Sequence, residues 1–203
     1  MKRHLVSTLI SIVFLFTQGI LALAQSPGNS STPKTGAVPD AGVVDGHTYK
    51  NKFLNAEFTV PDDLEFRPPE MLGKPGETRH SVGVSAWSKA HSKLSFKKYI
   101  VDRGVIFVAD DLDSFTEEER TPTGYLRHVG QTEVREGFKA IDGKTDAKIG
   151  DVECTRGNFK QGDRLHIVCI TTRYGYAFTI IFVANDMESV EAMIKSTSLK
   201  LPK

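Results

Sequence analysis

Two apolar runs near the C-terminal end, Arg164 to Thr172 (RLHIVCITT) and Tyr174 to Ala184 (YGYAFTIIFVA), constrain the fold more than any other stretch. Both are rich in β-branched and aromatic residues, which fit a pleated, packed surface, so both read as strands. Neither alternates cleanly with polar residues. In the second, Tyr176, Phe178, Ile180 and Phe182 would share one face and Ala177, Thr179, Ile181 and Val183 the other. A strand apolar on both faces must be covered on both, so the chain needs a layer of structure on each side of its sheet.

Helix signals supply candidate layers. Asn185-Asp186-Met187-Glu188 has the form of a cap, with Glu three positions after Asn, and Met187, Val190, Met193 and Ile194 follow at helical spacing. Thr121-Pro122-Thr123 opens another helix with Pro at an early position, and Tyr125, Leu126 and Val129 continue it. Upstream, Glu57 to Val60 stops at Pro61, which cannot donate to a ladder, and Val82 to Trp87 and Gly104 to Ala109 give further strands. Strands, a helix, more strands and a closing helix predict an α+β domain with a central, mostly antiparallel sheet.

The N-terminal end reads as an export signal. Lys2, Arg3 and His4 precede an apolar run, and Ala22-Leu23-Ala24 offers the small-x-small pattern at which signal peptidase cuts. Residues 1–24 are therefore expected to be a signal peptide cleaved near Ala24, leaving a secreted or periplasmic protein with no stable membrane span. Polar residues Ser7, Thr8, Ser11, Thr17 and Gln18 argue against a retained anchor. Residues 25–46 are dominated by Pro, Gly, Ser, Thr and Ala, without an aromatic residue, and read as a disordered linker. Residues 47–203 then form a single domain, large enough to bury a core of its own.

Charge narrows the partners. With Lys2 and Arg3 removed, the 26 basic and 25 acidic side chains fall to a net of −1. Neither the basic field that nucleic acid demands nor the clustered Lys and Arg of an anionic-membrane binder is present.

Cys154 and Cys169 are the only cysteines, and export to an oxidising compartment favours their pairing. If the hairpin tip Lys160-Gln161-Gly162-Asp163 turns between Gln161 and Gly162, the two stand opposite each other. A disulfide there would staple the hairpin, closing a loop of about 15 residues worth about 3 kcal/mol in the chain-entropy model. Without a Cys-x-x-Cys motif, structure outweighs redox chemistry.

No catalytic, cofactor-binding or metal-binding residue is assigned. Asp110, Asp111, Asp113 and Glu117 to Glu119 gather oxygen ligands of the kind calcium prefers, but lack the spacing of an EF-hand and read as a solvated loop. His47, His80, His91, His128 and His166 form no i, i+4 pair. Gly-x-Ser-x-Gly, His-Glu-x-x-His and the phosphate-binding Gly-rich loop are all missing. Trp87, at the end of a strand, reads as a core or rim residue.

The phrase Tyr49 to Pro61 (YKNKFLNAEFTVP), the Tyr125-Leu126 helix, Ile149-Gly150, Arg173 to Ala177 (RYGYA) and Ser198-Leu199 together resemble the PsbP/DcrB-like superfamily over residues 47–201. The chain departs from that pattern at Leu64-Glu65-Phe66, where members often carry a Trp, and it lacks the lipid-accepting cysteine of DcrB-type members. The resemblance implies an α-β-α sandwich and a non-enzymatic accessory or binding module with a protein partner in the cell envelope. The competing expectation is a metal-dependent or hydrolytic envelope enzyme whose acids and histidines converge only in three dimensions.

Overall fold

The computed structural model describes residues 41–72, 81–88 and 103–201. The segments expected to be signal peptide (1–24) and most of the expected linker lie outside them. Thirteen strands carry the described chain: β1 (Val43–Asp45), β2 (Thr48–Asn51), β3 (Ala56–Thr59), β4 (Leu64–Phe66), β5 (Glu70–Leu72), β6 (Ser81–Ser88), β7 (Gly104–Asp111), β8 (Lys139–Ala140), β9 (Asp146–Ile149), β10 (Val152–Gln161), β11 (Arg164–Arg173), β12 (Tyr176–Ala184) and β13 (Ser198–Lys200). Among the described residues there are two α-helices, α1 (Pro122–Arg135) and α2 (Met187–Ser196).

The strands form two sheets. The larger runs β4-β6-β7-β12-β11-β10-β8, with β5 beside β6 and β9 beside β10, and every pairing in it is antiparallel. The smaller runs β1-β2-β3-β13. The two sequence-predicted strands are β11 and β12, and β12 lies at the heart of the large sheet, between β11 and β7. Its two apolar faces meet two different layers. Phe178, Ile180 and Phe182 pack with Tyr49 and Phe58 of the small sheet and with Val190, Met193 and Ile194 of α2. Ala177, Ile181 and Val183 pack with Tyr125 and Val129 of α1.

That arrangement corrects the expected α-β-α sandwich. Of the described chain, 51% is strand and 19% helix, and the layer expected to be helical on one face is a second sheet with α2 beside it. That face is covered by a sheet because short segments far apart in sequence, β13 and β3 above all, pair to complete it. The expected linker boundary also moves. β1 lies within residues 25–46 and pairs with β2, while Tyr49 donates its hydroxyl to the Ala41 carbonyl at 3.0 Å.

The helix ends follow local chemistry. Thr121 caps α1, its hydroxyl accepting from the Gly124 N–H at 3.1 Å, with Pro122 next in line where its missing N–H costs nothing. Asp186, one residue beyond the predicted Asn185, caps α2 by accepting from the Ser189 N–H at 2.7 Å.

Candidate functional site

The cysteine pair is the first sequence-predicted feature that the structure corrects. The β10–β11 register pairs Gln161 with Arg164 around a two-residue loop, Gly162-Asp163, and so puts Arg156 opposite Cys169. Gly162 has φ +60°, the positive value that a type II′ turn places at its first central residue, and this centres the turn one residue later than predicted. A shift of one residue in the centre offsets the partners by two. Cys154 and Cys169 therefore share a face but sit diagonally, at the roughly 7–8 Å spacing of such neighbours, beyond the reach of a disulfide. Both are free and buried. Burial pushes the Cys154 thiol up to about 12, and burial, reinforced by Cys154, raises Cys169 as well. Protonated and enclosed, they act as small apolar core residues.

The acidic run divides between core and surface. β7 continues two residues beyond its predicted end, so Asp110 and Asp111 are buried on a strand rather than solvated in a loop. Asp110 accepts a hydrogen bond from the Tyr125 hydroxyl at 2.5 Å, tying the start of α1 to the sheet. Asp111 accepts from the Asp113 N–H at 3.0 Å and caps a short 3-10 turn. Glu119 folds back on Thr116, accepting from its N–H at 3.1 Å and its hydroxyl at 2.9 Å, and lies 3.4 Å from His128 Nδ1. Those Thr116 bonds, with His128 adding to them, hold its carboxyl below the usual range. Glu118 pairs with Arg127.

Two further buried polar contacts hold the helices. His166 of β11 and Glu133 of α1 meet at 2.9 Å, their side chains 1% and 4% exposed, with Phe138 stacked on the imidazole at a ring distance of 4.0 Å. His166 Nε2 is buried without a hydrogen-bond partner. On the opposite face of the sheet, Arg156 of β10, 2% exposed, donates to Glu191 Oε1 of α2 at 2.8 Å and to Asn158 Oδ1 at 2.8 Å. Lys144 reaches the other Glu191 oxygen at 3.0 Å. Burial raises the Glu191 pKa, but hydrogen bonds and charge from Arg156 and Lys144 outweigh it, and the net shift is downward. Sequence reading singled out neither Glu133 nor Arg156. The available signal was a charged residue on an otherwise apolar face: Glu133 follows Tyr125 and Val129 at intervals of four.

The remaining histidines do not converge. His47 donates Nδ1–H to the Leu64 carbonyl at 3.0 Å, linking the β1–β2 turn to β4. His128 stacks on Tyr125 and meets the ring of Phe115 edge-on. His80 and His91 lie outside the described residues. Among the described residues, no group of three or more His, Cys, Asp and Glu is placed to hold a metal ion, and no helix is long and apolar enough to cross a membrane. Trp87 lies across its cross-strand partner Gly104 and donates its indole N–H to Ser85 Oγ at 3.1 Å.

A groove of about 330 Å³ opens between the two sheets, lined by Val44, Gly46, His47, Glu65 and Phe66. Its wall is β1, an edge strand with no partner on its outer side among the described residues. Asp45 and Thr48 flank the Gly46-His47 turn and exchange the ladder hydrogen bonds of a two-residue hairpin. The next pair, Val44 and Tyr49, is then a non-hydrogen-bonded one, which leaves the Val44 N–H and C=O directed outward. Val43 is 67% exposed beside them. Sequence reading assigned this segment to the linker and missed it. Compared with known proteins, the chain matches no family model and no curated sequence.

Proposed function

We propose that the chain is an exported, non-enzymatic binding module that docks on a protein partner in the cell envelope. One observation carries the reading: the buried groups best suited to acid–base work are engaged in holding the layers together. Tyr125 with Asp110 and His166 with Glu133 fasten α1, and Arg156 with Glu191 fastens α2. A general acid or base must reach a reacting atom within hydrogen-bond distance, and Asp110, Glu133, Tyr125 and His166 are all enclosed. The exposed backbone of β1 and the groove beside it offer a contact surface instead.

Export rests on the composition of residues 1–24, with cleavage after Ala24 giving a secreted or periplasmic product. Kinship to the PsbP/DcrB-like superfamily belongs to the same proposal, supported by the motifs between Tyr49 and Leu199. Fractionation of an exporting host with intact-mass measurement tests the first half, and cross-linking in the intact envelope tests the second. The expected results are a chain beginning at Gln25 outside the cytoplasm and one discrete protein adduct, competed by excess unlabelled chain. Full-length chain confined to the cytosol, or no competed adduct, contradicts the proposal.

A further inference from the structure

We infer that β1 is the docking edge, and that it takes an extended, cationic peptide segment of the partner as a fifth strand of the small sheet. This rests on the binding-module reading and deepens it. An edge strand with outward N–H and C=O groups is a template for strand addition, and natural proteins blunt such edges with short length, charge, Pro or a cover. β1, Val43-Val44-Asp45, carries neither Pro nor Lys, and its three residues and single carboxylate limit the template to one outward backbone pair. Its backbone offers one donor and one acceptor at Val44, and the groove beside it gives a side chain from the incoming strand an apolar floor on Val44 and Phe66.

The charge of the rim selects the occupant. Among the described residues Glu65, which lines the groove, makes no ion pair, and Asp45, 81% exposed, makes one, with Lys50 at 3.7 Å, a lysine that is itself 51% exposed. Among the described residues that line it, the groove has one carboxylate, Glu65, and no lysine or arginine. An alternating strand with apolar residues toward Phe66 and Lys or Arg toward Glu65 and Asp45 satisfies both features, whereas an acidic strand meets like charge.

The test uses the purified exported chain and a short fluorescent peptide alternating lysine and valine, with a glutamate–valine peptide as control. Fluorescence anisotropy is expected to show saturable binding of the first alone, weakening as salt rises. Val44→Pro removes the outward N–H without touching a ladder bond to β2, and is expected to weaken binding about tenfold, the effect of about 1.4 kcal/mol. Glu65→Lys, a surface change, is expected to weaken it similarly and covers the case in which the proline variant melts early. Equal binding of both peptides, no saturable binding, or binding unchanged in both variants overturns the inference. So does dimerisation of the chain that Val44→Pro abolishes, which assigns the edge to a second copy. A specific envelope partner cross-linked away from β1 overturns this inference while leaving the binding-module reading intact.

Discussion

Substituting Gly104 by alanine should dislodge Trp87, the only tryptophan in the chain. An added Cβ would lie 2.0 Å from Trp87 Cε3, 2.5 Å from Cζ3 and 2.9 Å from the Ala86 carbonyl oxygen, distances that no relaxation of the methyl itself can relieve. The indole must swing off the strand. A tryptophan side chain buries on the order of 200 Å². Trp87 is only partly covered, so losing about half of that, at about 25 cal/mol per Å², costs about 2–3 kcal/mol. Alanine recovers about 0.5–1 kcal/mol that glycine loses in strand entropy. The net destabilisation of about 2 kcal/mol should lower the melting temperature by about 4–8 °C for a domain of this size. Intrinsic fluorescence reads the indole directly, and its emission should shift to the red in the native variant. In a Trp87→Leu background, followed by circular dichroism, the alanine penalty should shrink, because the clashing ring is gone and only the 2.9 Å approach to the Ala86 carbonyl oxygen remains. An unshifted emission, or the same penalty in both backgrounds, would refute the reasoning.

Three further outcomes follow from the same geometry. Ellman's reagent should leave Cys154 and Cys169 unmodified in the native protein and titrate both after denaturation, since both thiols are enclosed and held protonated; native labelling of either would contradict their placement. Thr171→Cys should form a disulfide with Cys154 on mild oxidation, because one more step in the observed register sets those positions opposite each other at a non-hydrogen-bonded pair. Mass spectrometry after partial proteolysis distinguishes that bond from a Cys154–Cys169 bridge. Glu191 has its pKa lowered from 4.5, so the stability it contributes is present above that pH and is lost as pH falls through the depressed folded value. Glu191→Gln should flatten the decline of stability below about pH 4.5, measured by urea titration, and an unchanged slope would remove Glu191 from the tie to α2.

What could be read from the sequence was whatever local chemistry decides. The runs that became β11 and β12 announced themselves by composition, and the two-sided burial of β12 followed from its residues. Thr121-Pro122 marked the start of α1 because capping is a contact between near neighbours. The α2 cap slipped by one residue because Asn185 and Asp186 are both good caps, and only the fold chooses between them. The cysteine register failed on a similar margin. Gly162 can sit at either central position of a turn, but a two-residue loop of type II′ puts it first, and reading the turn that way would have moved Cys154 opposite Thr171. The second sheet carried no local signal. β1 and β13 are three residues each, and β13 finds β3 across about 140 residues of chain, so only the assembled core defines them. The groove at β1 inherits that opacity, since Phe66 and Val44 become neighbours only once both sheets exist.

The central claim, that an exported chain works by taking a partner onto its β1 edge, is tested most directly by photocrosslinking in an exporting native host. A photoreactive residue would be placed at Val43, beside the proposed strand, or at Val134, exposed on the outer face of α1. The account predicts one discrete adduct from Val43, lost in the Val44→Pro variant, and none from Val134. An adduct from Val134 alone, or from neither position, would contradict it.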